Sequence, residues 1–521
     1  MNKKISCCLL VSLLVLVMFG VSHGQQGQPE KNTTEQVLDY VFGNKKHSEG
    51  NLTILMVPVK PGGEVKEFTV SPEEMAAYKA KAKKQNVLTK AAAEGDINTV
   101  EKLLSGEYDI NGKDEEDMTA LMRAAKAGKK EMCEFLISRK AGTFMVKGRD
   151  NSALTFAVMS GNKDIVDLIL AASPEDIEKA VSGARGIDRA LGDAVRYGTL
   201  EMVRYLVDKG GLVNTEFNDR SCILSRAIAS KNREIVEFLL SRNVNVNPKE
   251  NINNPLMAAV GSKQTEIAKL LIAGGADPNT GAWNKHTVLM AAALTGDTEV
   301  LNLLISKGAR LDEKDTYGFT ALMTAGLYGH REAAESLIKA GADLSIKNNN
   351  CETFLMIAVR NLSKKTIELV LSKGADVNVK SCEEGVNAGV TPLIAALSRP
   401  DNDISIAGLL IRKGADVNAK ISWGTVLTLA SMNPSGEGIK LLLDNGADVN
   451  DRSENGITAL MMAAAYGRKD MVELLLAKGA DSALKDKEGK TAAMWLEEGT
   501  GKIPKSTQKE ISDLLSSRKG K

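Results

Sequence analysis

Aromatic residues are scarce in this 521-residue chain, since Phe, Trp and Tyr together make up only 4% of it. That fraction is too small to suggest the stacked-base recognition of single-stranded nucleic acids, and it is low for an ordinary large-cored enzyme. The chain also lacks an excess of either charge, because 67 Lys and Arg against 66 Asp and Glu leave +1. The composition therefore gives no electrostatic reason to bind nucleic acid or an anionic membrane.

Histidine and the motifs of common enzymes are scarce as well. The chain has four histidines, and no two His or Cys residues have the spacing of a zinc site. The motifs HExxH and CxxC and the Gly-rich loop of nucleotide-binding proteins do not occur in the sequence. Asp and Glu fall at helix starts and in turns, where capping and solvation account for them. We therefore predict a protein that is not an enzyme and that carries no cofactor and no metal.

The first residues predict an export signal and not a part of the fold. Two lysines give a positive start, the run from Leu9 to Phe19 is almost wholly apolar, and small residues precede a cut after Gly24. This layout is typical of a cleaved secretory signal peptide over residues 1–24, and a retained N-terminal anchor is the alternative. Because the apolar run is shorter than the roughly 20 residues that span a bilayer, we favour cleavage. The mature chain is then secreted or periplasmic and has no membrane span.

A linker and a small unit precede the main part of the chain. Residues 25–50 are polar and predict a linker. Residues 51–84 predict a β-hairpin followed by a helix over about 72–84, because two β-rich stretches flank Pro61-Gly62-Gly63 and a capping box begins at Ser71. An isolated hairpin is marginal in water, so we expect this unit to cover the first repeat as an N-terminal cap.

A leucine followed three residues later by an alanine recurs along the chain. Most steps between these leucines are 32 to 34 residues, and steps of 37 and 38 contain Ser173–Asp176 and Lys380–Gly389, where we predict surface insertions. The twelve leucines are Leu88, Leu121, Leu154, Leu191, Leu224, Leu256, Leu289, Leu322, Leu355, Leu393, Leu427 and Leu460.

Residues 456–481 show how one repeat is built. Thr458 caps a short helix in which Leu460 and Ala463 share a face, and the small alanine lets a neighbouring helix approach closely. A second helix with an apolar stripe ends at Gly479, which suits the left-handed position after a helix. Helices of roughly ten residues are too short to be stable alone in water. Their apolar stripes must therefore be buried on neighbouring units, which predicts a stacked solenoid.

This pattern resembles that of ankyrin-repeat proteins over residues 85–490. Gly318–Leu322, Gly329-His330, Gly341–Asp343 and Val390–Leu393 are similar to the family's turn, Thr-Pro-Leu, Gly-His and Gly-Ala-Asp elements. The resemblance implies an all-α ankyrin-repeat solenoid of about 12–13 helix-turn-helix units, whose successive helix pairs are joined by short finger turns. The family histidine after the leucine is absent, often replaced by Met, so the turn-to-turn bonds of that histidine are not expected. Residues 491–521, with a helix over 505–517, predict a C-terminal cap.

The resemblance also implies where a partner would bind. Ankyrin stacks generally bind proteins through a concave face, which is formed by the finger turns and the variable residue before the glycine that ends each inner helix. Aromatic residues are concentrated at these positions, and Tyr and Trp are common interface anchors; packing between fingers is the alternative. We take Trp283, Tyr317 and Tyr328 as a predicted hot spot. The candidate partner-binding residues are Trp283, His286, Tyr317, Phe319 and Trp423 in the fingers, and Tyr197, Tyr328 and Tyr466 before the glycine.

Four of the six cysteines follow the predicted cut, too few for a disulfide scaffold in a chain of this length. Cys133 lies in an apolar helical stretch and is predicted to be a core residue. Cys351 and Cys382 fall in turn regions about one repeat apart. Free thiols are the state that we favour for this pair, and a disulfide in an oxidising compartment is the alternative.

Taken together, these features predict an exported, non-catalytic and monomeric module that binds a partner protein on its concave surface. One alternative is a structural or protective cell-envelope protein whose methionines act as an oxidant buffer. Another is an inhibitor of an exported enzyme, which is a special case of the first function.

Overall fold

The computed structural model describes residues 52–56, 66–70 and 72–516, with gaps at 144, 148–150, 173–185, 218–220, 249–253, 282–283, 383–388, 400–402, 422–423, 434 and 500–502. The predicted signal peptide (1–24) and linker (25–50) lie outside the described residues, as do the predicted insertion at 173–176, Trp283 and Trp423. Contacts divide the chain into two compact units, Met1–Ala258 and Ala259–Lys521.

The first unit begins with the hairpin and a long helix. Strand β1 (Leu52–Met56) pairs antiparallel with β2 (Lys66–Val70), so that Leu52 lies opposite Val70. Helix α1 (Pro72–Glu94) then continues past residue 84, where we predicted its end. The prediction was wrong because no Gly or Pro interrupts residues 73–94, and the helix ends only at Gly95, which has a φ of +85°. The cap helix and the first inner helix are therefore one continuous helix.

The rest of the described chain alternates between an inner helix, which carries the recurring leucine, and an outer helix. In the first unit these are α2 (Ile97–Leu104), α3 (Ala120–Lys126), α4 (Lys130–Ser138), α5 (Ala153–Ser160), α6 (Lys163–Ala172), α7 (Gly186–Tyr197), α8 (Leu200–Asp208), α9 (Ile223–Ala229) and α10 (Arg233–Ser241). Helix α11 (Pro255–Gly261) contains the division between the units.

The second unit repeats the same alternation. Its helices are α12 (Thr265–Ala273), α13 (Val288–Thr295), α14 (Thr298–Ser306), α15 (Ala321–Leu327), α16 (Arg331–Ala340), α17 (Phe354–Asn361), α18 (Lys364–Ser372), α19 (Pro392–Leu397), α20 (Ile404–Arg412), α21 (Val426–Ala430), α22 (Glu437–Asp444), α23 (Ala459–Ala465), α24 (Lys469–Ala477), α25 (Ala492–Glu498) and α26 (Lys505–Ser516). Two fingers contain short antiparallel ladders, β3 (Val146–Lys147) with β4 (Asn151–Ser152) and β5 (Lys420–Ile421) with β6 (Gly424–Thr425). The predicted all-α class is confirmed.

Inner helices pack on one another through their leucine and alanine positions. Helix α15 contacts α13 on one side and α17 on the other, and its Leu322 and Ala325 are only 1% and 0% exposed. The outer helices form a second layer, in which Val300 and Leu304 of α14 are completely buried. Since a fully buried aliphatic side chain contributes about 1.5–3 kcal/mol, contact between neighbouring repeats supplies most of the stability of each short helix.

Threonine at the N-cap begins many of the inner helices. The hydroxyls of Thr287 and Thr458 accept hydrogen bonds from the amides of Met290 and Met461 at 3.2 and 3.3 Å. In return, the Sδ atoms of these two methionines accept hydrogen bonds from the N-cap amides at 3.4 Å. A thioether is a weak acceptor, yet here it completes a reciprocal capping box at the position of the missing histidine. These methionines therefore make a local bond inside their own repeat.

Side-chain to backbone hydrogen bonds join many of the successive repeats at the turn after the outer helix, and we call this set of bonds the ladder. The Oδ1 atom of Asn418 accepts from the amide of Asp448 at 2.9 Å, and that of Asn378 accepts from the amide of Asp416 at 2.8 Å. The second bond joins the turns on either side of the predicted longer finger, and it is as short as the first bond. The remaining bonds of this ladder join Asn111 to Gly142, Asn214 to Asn245, Asn279 to Arg310, Asp312 to Asp343 and Asn450 to Asp481.

The pair α25 and α26 covers the end of the second unit. Helix α25 packs on α23, and α26 packs on α24 and α25. Ile511 and Leu515 of α26 are 0% and 2% exposed, and Trp495 Nε1 donates a hydrogen bond to Asp486 Oδ2 at 2.8 Å. This pair buries the apolar face that the last regular repeat would otherwise expose.

We expect Gly326→Ala to destabilise the protein, although alanine favours a helix by about 1 kcal/mol over glycine. A β-carbon at this position would lie 2.7 Å from Cε2 of Phe354, and overpacking of a core costs roughly 1–3 kcal/mol. Gly261→Ala is the matched control, since a β-carbon there meets nothing within 4 Å, and it should be neutral or stabilising. The free energy of unfolding in urea measures both changes, and equal values for the two variants would contradict this account.

Candidate functional site

The finger between α14 and α15 is held rigid from within. Asp315 Oδ1 accepts hydrogen bonds from the amides of Tyr317 and Phe319, both at 2.9 Å. The Asp315 amide donates to the carbonyl of Phe319 at 3.0 Å, and Gly318 takes a φ of +79° that favours glycine. This network turns the chain back on itself within five residues and leaves Thr316 and Tyr317 at the tip.

Neighbouring fingers are joined to this one by backbone hydrogen bonds. The amide of Thr316 donates to the carbonyl of Asn284 at 3.2 Å, and the amide of Asn349 donates to the carbonyl of Tyr317 at 3.0 Å. Asn349 Nδ2 also donates to the carbonyl of Thr316 at 3.0 Å. We call the turns at 284–287, 315–319 and 348–352, together with residues 381–382 and 389–390 of the next turn, the finger row.

The finger row brings three of the candidate residues together. Tyr317 is 68% exposed, and Phe319 is half-buried in the same finger. His286 lies half-buried in the preceding finger, and its own amide donates to Asn284 Oδ1 at 3.0 Å. Tyr317 therefore presents its ring outward from a fixed backbone, whereas Phe319 and His286 are partly used in packing.

A second exposed patch lies at the C-terminal end of α15. Tyr328 is 57% exposed and Leu327 beside it is 47% exposed. The following His330 fixes this end of the repeat, because its Nε2 lies 2.9 Å from the carbonyl oxygen of Leu294 on the preceding inner helix. Sequence reasoning missed Leu327; the signal was present, because the equivalent position holds Lys126 and Arg360 in other repeats.

Tyr317 and Tyr328 do not form one compact cluster. They lie at opposite ends of α15, which has seven residues and is therefore roughly 10 Å long at 1.5 Å per residue. Residues 321–326 between them are buried. A partner that contacts both tyrosines must therefore span the finger tip and the end of the inner helix.

The other two candidate tyrosines belong to other repeats. Tyr466 is half-buried at the end of α23, four repeats further along the second unit, which is on the order of 40 Å at roughly 10 Å per helix spacing. Tyr197 belongs to the first unit, where it is 43% exposed and the guanidinium of Arg196 lies 5.6 Å from its ring centre.

The structure contains a disulfide between Cys351 and Cys382, so the favoured prediction of free thiols for this pair was wrong. Their Cα atoms are 5.0 Å apart although 31 residues separate them in the chain. The finger row explains the proximity, since each finger lies directly beside the next. Cys133 and Cys222 remain free and buried, and burial raises the pKa of the Cys133 thiol to about 12.

The described residues show no arrangement suited to metal chemistry or to membrane insertion. Within these ranges, no group of three or more His, Cys, Asp or Glu side chains has the geometry to hold a metal ion. Nor is any helix of the described chain both long and apolar enough to cross a bilayer. What the site offers is exposed aromatic and apolar side chains on a rigid support, an arrangement suited to protein contacts.

Comparison with known families agrees with this architecture. A family model described as "Ankyrin repeats (3 copies)" matches residues 88–180, 180–250, 256–348, 342–421 and 427–500. The chain belongs to the ankyrin-repeat family, and the predicted ankyrin-repeat solenoid class is confirmed.

Similarity to individual proteins follows the repeats and covers only parts of them. Over 206 residues the chain is 31% identical to the Ankyrin repeat and KH domain-containing protein mask-1 of Caenorhabditis elegans, a match that covers 38% of this chain and 7% of that protein. Over 99 residues it is 36% identical to alpha-latrocrustotoxin-Lt1a of Latrodectus tredecimguttatus, covering 19% and 7%. The crystal structure of the human ASB11 ankyrin repeat domain matches 44% of this chain and 98% of that chain, with 24% identity and a TM-score of 0.37. The chain thus spans only 7% of the length of mask-1 and 7% of the length of alpha-latrocrustotoxin-Lt1a.

We expect the imidazole of His286 to titrate below its ordinary pKa of 6.5, because burial lowers this pKa and the charge of Asp315 opposes the shift only in part. The unfolded chain then binds the proton more tightly than the folded one, so stability falls as the pH drops from 6.5 through the folded pKa. Asp315→Asn keeps the acceptor for the finger amides but removes the charge, and should lower the pKa further. Titration of the ring protons by NMR measures both values, and a raised midpoint in this variant would argue against the account; Asp343→Asn is the control.

Proposed function

We propose that the protein is an exported, non-catalytic module that binds a partner protein through the finger row and the exposed end of α15. The observation that carries this proposal is the exposure of Tyr317, at 68%, and Tyr328, at 57%. In a chain so poor in aromatic residues, two tyrosines in one repeat are left open to solvent. Tyrosine is enriched among the residues that dominate protein interfaces.

The rigidity of the backbone beneath these side chains supports the proposal. The Asp315 network fixes the finger tip, and bonds from the fingers on both sides hold its position in the row. A pre-formed surface loses little conformational freedom when a partner binds, which leaves more of the contact energy as affinity. The surface is thus suited to a folded partner that needs no rearrangement of the stack.

One cation beside the proposed contact is already paired within the protein. Arg360, on the following inner helix, is paired with Glu352 at 2.7 Å, and Glu352 also accepts a hydrogen bond from Asn348 Nδ2 at 3.0 Å. These groups already satisfy each other. We propose that affinity comes mainly from desolvating the tyrosine rings and Leu327, and that the exposed Lys285 of the finger row adds a part that depends on salt.

The buried methionines weigh against the alternative of an oxidant buffer. Of the methionines that follow the recurring leucine, Met257 is half-buried, and the other five, Met122, Met290, Met323, Met356 and Met461, are between 0% and 1% exposed. An oxidant reaches such a sulfur only after the helices open, and oxidation would place a polar group in the core. These methionines therefore support the stack, and the binding module remains the function that we propose.

The disulfide supports the proposal of export. Disulfides persist in oxidising compartments and are rare where the cytosol keeps thiols reduced. The bond between Cys351 and Cys382 therefore fits a secreted or periplasmic protein, in agreement with the export signal predicted for residues 1–24.

We expect replacement of both exposed tyrosines, Tyr317→Ala with Tyr328→Ala, to weaken partner binding at least about 30-fold, the loss expected for interface hot spots of 2 kcal/mol or more. The partner is first isolated by affinity capture from the native compartment, and its dissociation constant is then measured by calorimetry. Tyr197→Ala is the matched control, since this ring is exposed but lies in the first unit, and it should change binding less than about twofold. Undiminished affinity of a well-folded double variant would refute the proposed surface.

We expect the mature protein to begin at Gln25 and to be recovered outside the cytoplasm. Cell fractionation followed by N-terminal sequencing of the purified protein measures both. Leu14→Arg places a charge inside the apolar run and should leave full-length protein in the cytoplasm. Recovery of the unaltered chain in the cytoplasm with Met1 still present would rule out the proposed export.

A further inference from the structure

We propose that the Cys351–Cys382 disulfide is a redox-controlled clamp, whose reduction loosens the contact between two neighbouring fingers and uncouples the repeats on either side. The clamp joins the finger before α17 to the finger before α19. Its action concerns the stack itself and does not depend on any bound partner.

The non-covalent bonds at this junction are longer than those at the preceding junction. The amide of Cys382 lies 3.4 Å from the carbonyl of Asn350, whereas the equivalent bond from Asn349 to Tyr317 is 3.0 Å. A second type of bond shows the same trend. Lys347 Nζ lies 3.5 Å from the carbonyl of Lys380, while Lys314 Nζ lies 2.8 Å from the carbonyl of Lys347. The disulfide therefore lies at a junction whose finger-to-finger hydrogen bonds are longer, and hence weaker, than those at the preceding junction.

The backbone of Cys351 has a conformation that suits glycine better than cysteine. Cys351 has a φ of +57°, and the residues at the same point of two other fingers are Gly318, with +79°, and Gly456, with +78°. A residue with a β-carbon is disfavoured in this region, and glycine is the usual solution. Asp117, with +62°, and Lys285, with +60°, occupy the same point of other fingers without a cross-link, so the cost of a β-carbon there is tolerated. At Cys351 the cross-link offsets this cost.

The partner cysteine stands at the base of the longer finger. The amide of Ser381 donates to the carbonyl of Val390 at 3.0 Å, and the amide of Val390 donates to Ser381 Oγ at 3.0 Å. Gly389 closes the same base by donating to the carbonyl of Cys382 at 3.2 Å. The disulfide therefore attaches this base directly to the adjacent finger.

The chemistry of the clamp is thiol–disulfide exchange with a dithiol. A thiolate of the dithiol attacks one sulfur, the bond between the two cysteine sulfurs breaks, and a mixed disulfide forms. The second thiolate of the dithiol then attacks the mixed disulfide and releases the cysteine that was still bound to the dithiol. Two electrons pass from the dithiol, which becomes a disulfide, and Cys351 and Cys382 each end with one proton. Buried Cys133 and Cys222 are shielded from this exchange.

Reduction has a predictable consequence for the stack. In repeat proteins, stability is the sum of each repeat's own term and the terms for contact with its neighbours. Loss of the covalent contact lowers one neighbour term and leaves the others intact. The repeats on the two sides of this junction then unfold less cooperatively, while the folded helices stay as they are.

Hydrogen exchange of the full-length protein, with and without dithiothreitol, tests the clamp. On reduction, the amides of Asn350, Ser381 and Cys382 should exchange at least about tenfold faster, as local opening becomes easier. The amide of Lys487, bonded to Asn455 at 2.9 Å in a distant finger, should keep its rate. The melting temperature should fall by at least about 5 °C.

Three single variants separate the clamp from general damage. Cys382→Ser should behave like the reduced protein even without dithiothreitol. Cys351→Gly should lose the clamp but be more stable than Cys382→Ser, because glycine suits the backbone at that position. Cys222→Ser should respond to dithiothreitol as the unmodified chain does.

Two results would overturn the proposal. One is thiol labelling that finds Cys351 and Cys382 free in the untreated exported protein. The other is unchanged exchange at the junction amides when labelling shows that both cysteines have been reduced.

Discussion

Apart from α1, which has 23 residues, the described helices are too short to be stable alone, and each is stabilised by burial of its apolar face on a neighbouring repeat. In α15 the side chains of residues 321–326 are all buried, because α13 and α17 cover the helix from both sides. The long helix α1 and the terminal pair α25 and α26 follow from the same constraint, since the end of a stack leaves an apolar face uncovered. The stability of each repeat therefore depends on contact with its neighbours.

The candidate binding surface is a by-product of this stacking. The fingers lie side by side because the helices beneath them do, and their backbones then bond to one another from Asn284 through Tyr317 to Asn350. Once the tip is fixed, its side chains no longer contribute to the core. Tyr317, which no repeat needs for stability, is left exposed for contact with another molecule.

Much of the architecture could be predicted from the sequence, because the spacing of leucine and alanine reports helix pairs directly. The end of the first helix could not be predicted, because residues 73–94 contain no Gly or Pro. The cap and the first inner helix form one continuous helix, so no structural boundary separates them. The disulfide was misjudged for a different reason. A separation of 31 residues does not itself show that two turns lie in register, and that register is a property of the assembled stack. Leu327 was overlooked because a leucine in an inner helix is normally expected to be buried. Comparison with Lys126 and Arg360, which occupy the same position in other repeats, indicates that this position faces the solvent.

The ladder of bonds at the turns has a consequence for how such a chain changes over generations. The bond from Asn378 to Asp416 measures 2.8 Å across the longer finger, and that from Asn418 to Asp448 measures 2.9 Å across an ordinary one. Extra residues are thus absorbed outside the ladder, and the distance from one rung to the next is preserved. If a whole repeat were duplicated or deleted, the turns brought together could form the same side-chain to backbone bond. The number of repeats is therefore open to variation by unequal recombination, whereas the spacing between them is not.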